Sequence, residues 1–225
     1  MLAALEQNPL TLAGLVTATG LARPTAHRLA VALEHHRFVG RDLQGRFVLG
    51  PRLVELADSA SEDPLLSTAA PILTRLRDIT GESAQLFRRQ GDVRVCAAAV
   101  ERPSGLRDTV PVGAQLSMRA GSAAQVLLAW EEPDRLPKLL EMAAFSAAAL
   151  VQVRRRGWAQ SVGEREAGVA SVSAPVLAHG GRIIAAVSVS GPIERLTRQP
   201  GRRHAPAVMA AAERLSDVLR KTSAA

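Results

Sequence analysis

A tight turn followed by an amphipathic helix is predicted near the N-terminus by Gly20-Leu21-Ala22-Arg23-Pro24-Thr25-Ala26-His27-Arg28-Leu29-Ala30-Val31-Ala32-Leu33. On a helical wheel the apolar stripe, with the spacing of a buried face, consists of Ala22, Ala26, Leu29 and Leu33. The opposite, partly basic face consists of Arg23, Pro24, His27, Arg28 and Val31. A helix with these two faces fits the major groove of DNA, so we interpret the stretch as the turn and second helix of a helix-turn-helix.

The residues at the helix ends support this interpretation. Thr11 is a good N-cap for a preceding helix, and Gly20 can end that helix with a positive φ. Pro24 suits a first helical position, which places Arg23, a poor cap, at the N-cap. The start of the second helix is therefore expected to depend on a DNA phosphate, or on Thr25, for its final order.

A β-hairpin is predicted directly after this helix. Two β-rich runs, residues 37–41 and 46–49, surround a turn that contains Asp42 and Gly45. A hairpin in this place is the wing of a winged helix, and its flanking arginines can reach phosphate or the minor groove. The alternative is that these arginines only solvate an exposed hairpin. The predicted DNA contacts are Arg23, Pro24, Thr25, His27, Arg28, Arg41 and Arg46.

Composition narrows the class of protein. The chain has 225 residues and a net charge of +7, which favours a polyanionic partner only weakly because a solvated basic surface gives the same value. Its single cysteine, Cys96, excludes an intrachain disulfide and a cysteine-rich zinc site, and the five histidines lack metal-ligand spacing. No apolar run has transmembrane length and no signal-peptide pattern is present. We expect a soluble cytoplasmic protein without metal, cofactor or membrane partner.

Three parts are expected along the chain. Residues 1–50 form a DNA-binding domain and residues 51–63 a linker helix that stops at Ser61-Glu62-Asp63-Pro64. Residues 64–225 alternate predicted strands with helices, which indicates an α+β domain of the size of a ligand sensor. In this domain the strands are expected at residues 82–88, 93–101, 169–177 and 183–190, and the helices at 64–80, 122–130, 134–142 and 204–221, with one more ending at Arg156.

Serines recur in this second domain at positions where they share a face. Ser171 and Ser173 lie on one face of their strand, and Ser188 and Ser190 lie on one face of the next. Ser122 stands at the start of a predicted helix, where free N–H groups and a hydroxyl bind a carboxylate without needing a buried arginine. The two strands are therefore expected to present hydroxyls toward that helix start.

Several motifs in their order along the chain resemble the IclR family of bacterial transcriptional regulators. They are Thr19-Gly20-Leu21, Thr25-Ala26-His27-Arg28-Leu29, Gly45-Arg46-Phe47-Val48-Leu49-Gly50, Gly157-Trp158, Glu164-Arg165-Glu166-Ala167-Gly168, Ser173-Ala174-Pro175-Val176 and Ser188-Val189-Ser190-Gly191-Pro192. The resemblance implies a winged helix-turn-helix, a linker helix and a GAF-like domain whose antiparallel sheet is flanked by helices. It also implies homodimers or homotetramers on a palindromic operator and a small organic acid as effector.

The resemblance further implies a ligand pocket in the second domain. The positions that match the family's pocket are Ser122, Ala123, Ser161, Ser171, Ser188 and Ser190, with Leu106, Val110 and Met118 as candidates for its apolar wall. For any single serine the alternative is a hydroxyl satisfied within or beside the sheet. Glu164 is expected to fix the loop before its strand rather than to bind the ligand.

A ligand-responsive DNA-binding regulator, most simply a repressor, is the function that these features favour. One alternative is a GAF-like enzyme that acts on a small acid, but the sequence has no Gly-x-Ser-x-Gly motif, no phosphate loop and no clustered histidines and carboxylates. Another is a ligand sensor that does not bind DNA, because the first predicted helix, residues 1–7, is short. Salt-dependent binding to DNA separates the regulator from both.

Overall fold

The computed structural model describes residues 1–6, 8–60 and 63–222. Contacts divide the chain into two units, Met1–Glu62 and Asp63–Ala225. The predicted break at Ser61 and Glu62 lies outside the described residues, and the assignment of 1–50, 51–63 and 64–225 as three domains stays a prediction. Within the described residues, no helix combines the length and hydropathy needed to cross a bilayer.

The first unit is a helix-turn-helix with a small hairpin. Its elements are α1 (Leu2–Leu5), α2 (Leu12–Thr19), α3 (Arg23–His35), β1 (Val39–Arg41), β2 (Phe47–Leu49) and α4 (Arg52–Ala60). Strands β1 and β2 pair antiparallel, with Val39 opposite Leu49, and form the predicted wing. The apolar residues that close the core are Leu5, Leu15, Ala30, Val39 and Phe47.

The turn between α2 and α3 follows the sequence except at one position. Thr11 caps α2 by accepting a hydrogen bond from the Gly14 N–H at 3.2 Å, and Gly20 ends it with a left-handed φ of 69°. The N-cap of α3 is Ala22, so the prediction of Arg23 at that position is wrong. The helix begins at Arg23, one residue earlier than predicted, so Pro24 is its second residue and not its first. Proline is tolerated there because the N–H groups of the first helical turn have no acceptor within the helix. No side chain caps this helix start.

The buried face of α3 is narrower than the predicted stripe. Ala26 and Ala30 are fully buried, whereas Ala22 is exposed and the Leu29 side chain is 43% exposed. Ala26 and Ala30 are one helical turn apart, and their small side chains let α3 approach its neighbours closely. The buried face of α3 is therefore centred on these two alanines, and Leu29 lies at the edge of that face. The predicted burial of Ala22 and Leu29 is therefore wrong, and Leu29 adds an apolar group to the outer surface.

The second unit is a six-stranded antiparallel sheet between two helical layers. Its elements are α5 (Pro64–Thr80), β3 (Ser83–Gln90), β4 (Val93–Val100), β5 (Gln115–Ser117), α6 (Ser122–Leu128), α7 (Leu136–Leu140), α8 (Ala147–Arg156), β6 (Ala159–Val162), β7 (Val169–Leu177), β8 (Ile183–Pro192), α9 (Ile193–Leu196) and α10 (Pro200–Thr222). The strand order is β5-β4-β3-β8-β7-β6. This confirms the predicted α+β class with an antiparallel sheet flanked by helices.

Two apolar cores hold the helices to the sheet. On one face α5 and α10 bury residues such as Leu73 and Leu215. On the other face α6 and α8 bury residues such as Val126 and Leu150. Strand β6 has no counterpart in the sequence prediction, because four residues of mixed polarity carry little pattern. The last helix begins at Pro200, earlier than predicted.

Strand register brings the serines together. Ser171 on β7 lies opposite both Ser190 on β8 and Ser161 on β6. Ser173 lies opposite Ser188, which in turn lies opposite Gln85 on β3. Since residues directly opposite each other in a sheet share a face, all these polar side chains project to one side, and Ser122 Oγ contacts that side.

Candidate DNA-binding surface and ligand cavity

The outer surface of α3 carries exposed hydrogen-bond donors. Arg23, Pro24, His27 and Arg28 are exposed, and Thr25 is partly exposed. Within the described residues, the side chains of Arg23, His27 and Arg28 form no hydrogen bond or ion pair. Guanidinium and imidazole groups in this state are available for phosphate oxygens and base edges.

The two wing arginines are already paired. Arg41 donates to both oxygens of Glu34, at 2.9 and 3.2 Å, and its guanidinium lies 4.2 Å from the centre of the Phe47 ring. Arg46 donates to Asp42 at 2.7 Å, and Asp42 also accepts backbone N–H groups within the turn. A phosphate contact from either arginine has to compete with these carboxylates, so Arg28 is the stronger candidate.

Five serine hydroxyls of the second unit form one chain of hydrogen bonds. Ser122 Oγ lies 2.7 Å from the Oγ atoms of both Ser171 and Ser173. Ser161 Oγ lies 2.9 Å from Ser171 Oγ, and Ser173 donates to Ser188 at 3.0 Å. The alternative for a single serine is a hydroxyl whose hydrogen bonds are satisfied within or beside the sheet. It holds in part, because these hydroxyls form hydrogen bonds with one another.

Counting the hydroxyl protons shows which serine donates and which accepts in each of these hydrogen bonds. Each hydroxyl has one proton, and Ser173 uses its proton on Ser188. The Ser122 hydroxyl must therefore donate to Ser173, and the Ser171 hydroxyl must donate to Ser122. Ser161 then donates to Ser171. The O–H of Ser188 ends the chain as a donor without an acceptor among the described residues.

The serine cavity is a small space at the end of this chain. Its lining includes Ser122, Ala123, Ser161, Ser171, Ser188, Ser190 and Val110, all predicted, together with Phe87, Arg94, Asp108, Leu116, Gly121, Arg165 and Val169. Its volume of about 20 Å³ is room for one water molecule.

Two predicted wall residues lie outside the serine cavity. Leu106 is 74% exposed, because the stretch that follows β4 runs over the surface. Met118 is 3% exposed but packs in the core beside α6 and α8 instead of lining the cavity. The apolar wall is formed by Val110 with Phe87 and Leu116.

Three charged residues line the cavity without having been predicted there, Arg94, Asp108 and Arg165, and Arg94 is the one that has no carboxylate partner by hydrogen bond among the described residues. Arg94 lies on β4 and is 3% exposed, and one Nη donates to the Ser117 carbonyl. Its buried Nε has no hydrogen-bond partner among the described residues. Burial and the nearby Arg165 lower the pKa of Arg94 to about 10, against the opposing effect of Glu164 and Asp108. The signal in the sequence is its alternation with Cys96, since residues two apart on a strand share a face and Cys96 is buried.

The loop between β6 and β7 places charged side chains at the cavity, with Arg165 in its lining and Glu164 beside the neighbouring start of α6. Glu164 accepts hydrogen bonds from the Gly121 N–H and from Gln125, both at 2.9 Å, and so ties the loop to the start of α6, as predicted. Burial raises the pKa of Glu164, against these hydrogen bonds and Arg94. Arg165 donates to Asp108 at 2.6 Å.

The free groups of the cavity are therefore mainly donors. Arg165 is neutralised by Asp108, and Glu164 is held by α6, which leaves Arg94 without a hydrogen-bonded carboxylate. Within the described part of the chain, the Nε–H of Arg94 and the O–H of Ser188 have no acceptor. Oxygen acceptors, and anionic ones above all, fit such a site. No cluster of three or more metal-ligating side chains occurs among the described residues.

Known proteins that resemble this chain are transcriptional regulators. The HTH-type transcriptional regulator BhcR of Paracoccus denitrificans is 30% identical over 92% of this chain and 80% of its own length. The transcriptional repressor IclR of Escherichia coli is 27% identical over 79% of this chain and 71% of its length. A crystal structure of an IclR homologue from Microbacterium hydrocarbonoxydans, complexed with 4-hydroxybenzoate, has the same fold (TM-score 0.75, 21% identity, 95% of this chain and 93% of that one).

Family models match both units. The IclR helix-turn-helix domain matches residues 2–43, and the C-terminal domain of bacterial IclR transcriptional regulators matches residues 57–217. The two matches follow each other in the order of the winged helix and the serine-bearing sheet. The chain belongs to the IclR family of bacterial transcriptional regulators, with a helix-turn-helix DNA-binding domain at its N-terminus.

Proposed function

We propose that this regulator binds a small organic acid in the serine cavity and that the acid changes operator binding by the helix-turn-helix. The observation that carries the proposal is Arg94, whose buried Nε–H has no acceptor among the residues that the structure describes. An unpaired buried donor costs about 1–3 kcal/mol, more for a charged group, and a carboxylate removes that cost with a charge-assisted hydrogen bond. Ser188 supplies a second donor to the same space.

The size of the serine cavity favours an acid of few atoms. About 20 Å³ holds a water molecule, so any acid requires the β6–β7 loop to yield at its Glu164 contacts. A two- to four-carbon acid needs less displacement than an aromatic ring. The Microbacterium homologue is complexed with 4-hydroxybenzoate, which supports an organic acid as the ligand of this chain.

The DNA-binding part of the proposal rests on the outer surface of α3. Arg28 contacts phosphate, while Arg23, His27 and Val31 are nearest the base edges. We propose a homodimer or homotetramer on a palindromic operator, because a two-fold protein matches a two-fold site. Repression is the proposed outcome, supported by the E. coli repressor among the relatives. Since the relatives are named regulators, we propose no catalytic activity.

A thermal-shift screen of the full-length chain tests the acid. A ligand present at 100 times its Kd stabilises the native state by about 2.7 kcal/mol. We expect one or more two- to four-carbon carboxylates to raise the transition temperature, while the matched neutral amides do not. Equal shifts with acids and amides, or none with either, would contradict the assigned role of Arg94.

Operator binding tests the coupling between the two activities. Gel shifts with DNA from upstream of the chain's own gene are expected to show binding that weakens as salt rises. The stabilising acid is expected to change the affinity for this DNA, because differential binding of an effector to two states shifts their populations. Stabilisation by the acid without any change in DNA affinity would separate ligand binding from regulation.

A further inference from the structure

A second polar cavity lies in the second unit and shares no lining residue with the serine cavity. Its volume is about 350 Å³, and we call it the arginine cavity. It lies where the end of α5, the residues after β4, helix α9 and the first turns of α10 meet. The lining consists of Thr80, Gly81, Glu82, Arg102, Arg195, Arg203 and His204.

Positive charge is in excess in the arginine cavity. The one carboxylate, Glu82, is 3% exposed and accepts from Arg195 at 2.6 and 2.8 Å. Arg102 lies 4.0 Å from the same carboxylate. Three guanidinium groups thus face a single carboxylate, and the Arg203 side chain has no ion pair among the described residues.

Some donors of the ion-paired arginines are also unused. Arg102 donates through Nε to the Ser104 carbonyl and through Nη1 to the Gly81 carbonyl. Arg195 donates through Nε and Nη2 to Glu82 and through Nη2 to the Leu106 carbonyl. In the part of the chain that the structure describes, Nη2 of Arg102 and Nη1 of Arg195 have no acceptor.

His204 gives the independent sign of a ligand. Its side chain on α10 is 4% exposed and lines the arginine cavity. Neither ring nitrogen forms a hydrogen bond with any described residue. Most of this side chain is buried, whereas its ring nitrogens open onto the arginine cavity, so a molecule in the cavity can supply their hydrogen-bond partner.

A purely structural ion-pair network explains only part of this arrangement. It accounts for Glu82, Arg195 and Arg102, which fasten the residues after β4 to the start of β3. It leaves Arg203 and His204 without a role. The positive excess excludes a cation and the polar lining disfavours an apolar molecule. We propose that the arginine cavity binds a small oxyanion, either a phosphate group or a carboxylate, between Arg203, His204 and the free Nη atoms of Arg102 and Arg195.

Calorimetric titration of the full-length chain without DNA tests this site, with inorganic phosphate and acetate as separate probes. Arg203→Gln removes an exposed guanidinium, so the variant is expected to fold and to bind the anion about tenfold or more weakly. The matched control is Arg214→Gln, another exposed arginine on α10 without an ion pair among the described residues, which should bind like the wild type. Stronger binding of phosphate than of acetate identifies the oxyanion as a phosphate group, and the reverse identifies it as a carboxylate.

Two further variants locate the anion. Binding that is lost in Arg28→Gln places it on the DNA-binding surface, and binding lost in Arg94→Met but kept in Arg203→Gln places it in the serine cavity; either result overturns the proposal. So do equal losses in Arg203→Gln and Arg214→Gln, or no binding of either probe at millimolar concentration. The imidazole resonances of His204, assigned with His204→Gln, should move on anion addition, and unmoved resonances contradict direct contact.

Discussion

The hydrogen-bond donors on helix α3 and those in the serine cavity differ in how much they cost the folded state when no ligand is present. Arg23, His27 and Arg28 are exposed, so water satisfies them and their lack of a protein partner costs little. Arg94 and Ser188 are 3% exposed each, so an unpaired N–H or O–H there raises the free energy of the folded state. An unpaired donor is therefore weak evidence of function on the surface and strong evidence in the interior.

This difference separates the effects of substitution at the two places. Removing an exposed donor from α3 should change DNA binding and leave the free energy of unfolding almost unchanged. Changing the serine cavity should alter ligand binding and stability together, because its hydroxyls are one another's hydrogen-bond partners. Variants of the two regions can therefore be told apart by measuring both properties.

Arg94→Met is expected to have the largest effect. Acids that stabilise the wild type should bind about 10- to 100-fold more weakly, because a charge-assisted hydrogen bond contributes about 1.5–3 kcal/mol. The ligand-free protein should keep its stability to within about 1 kcal/mol, because methionine puts apolar volume in place of a buried cation that has no hydrogen-bonded carboxylate among the described residues. Thermal shifts with and without acid measure both. Arg119→Met, which removes an exposed arginine, is the control, and an undiminished acid shift in Arg94→Met would refute the assignment.

Ser122→Ala should have the next largest effect, on stability. It breaks the middle of the hydroxyl chain and leaves the Ser171 proton without an acceptor and Ser173 without a donor, at an expected cost of about 1–3 kcal/mol. Ser188→Ala removes only the end of the chain and should cost less. Urea unfolding followed by tryptophan fluorescence reports on this unit, since Trp130 and Trp158 are the only tryptophans of the chain. Equal costs for the two serine variants would contradict the position of Ser122 in the middle of this series of hydrogen bonds and of Ser188 at its end.

Arg28→Ala should have an effect of intermediate size, confined to DNA. Loss of one phosphate contact is expected to weaken binding to every sequence and to reduce the slope of log K against log salt by about one. The unfolding free energy should stay within about 0.5 kcal/mol of the wild type, since the side chain has no partner among the described residues. Fluorescence anisotropy across a salt series measures the slope. An unchanged slope excludes Arg28 as a phosphate contact.

The sequence predicts the serine face well because alternation along a strand is a local property. Ser171 with Ser173, and Ser188 with Ser190, share a face in any strand that contains them, and the register then places them opposite each other. Arg94 escapes prediction because its burial depends on Ser117 and on the cavity, which are remote along the chain. A charged residue on a strand otherwise suggests a solvent-facing position.

Other misses have the same physical origin. Leu29 lies at the edge of the helical stripe, and periodicity alone does not tell which neighbour sets the closest approach of two helices. Leu106 follows a strand without regular structure, where spacing carries no information about burial. Both misses thus depend on tertiary contacts between elements, which the spacing of residues along the chain does not report.

The wing tests the opposite case, an exposed donor that already has a partner. Arg41→Ala should weaken DNA binding less than Arg28→Ala, because Arg41 is held by Glu34 and rests on the Phe47 ring. Glu34→Gln should strengthen binding by about twofold, since it releases Arg41 and removes a negative charge near DNA, and an exposed ion pair contributes only about 0.2–1 kcal/mol. Anisotropy on the same DNA measures both variants. If Glu34→Gln leaves the affinity unchanged while Arg41→Ala lowers it as much as Arg28→Ala does, then Arg41 contacts phosphate without leaving Glu34, and intramolecular pairing does not distinguish the wing from α3.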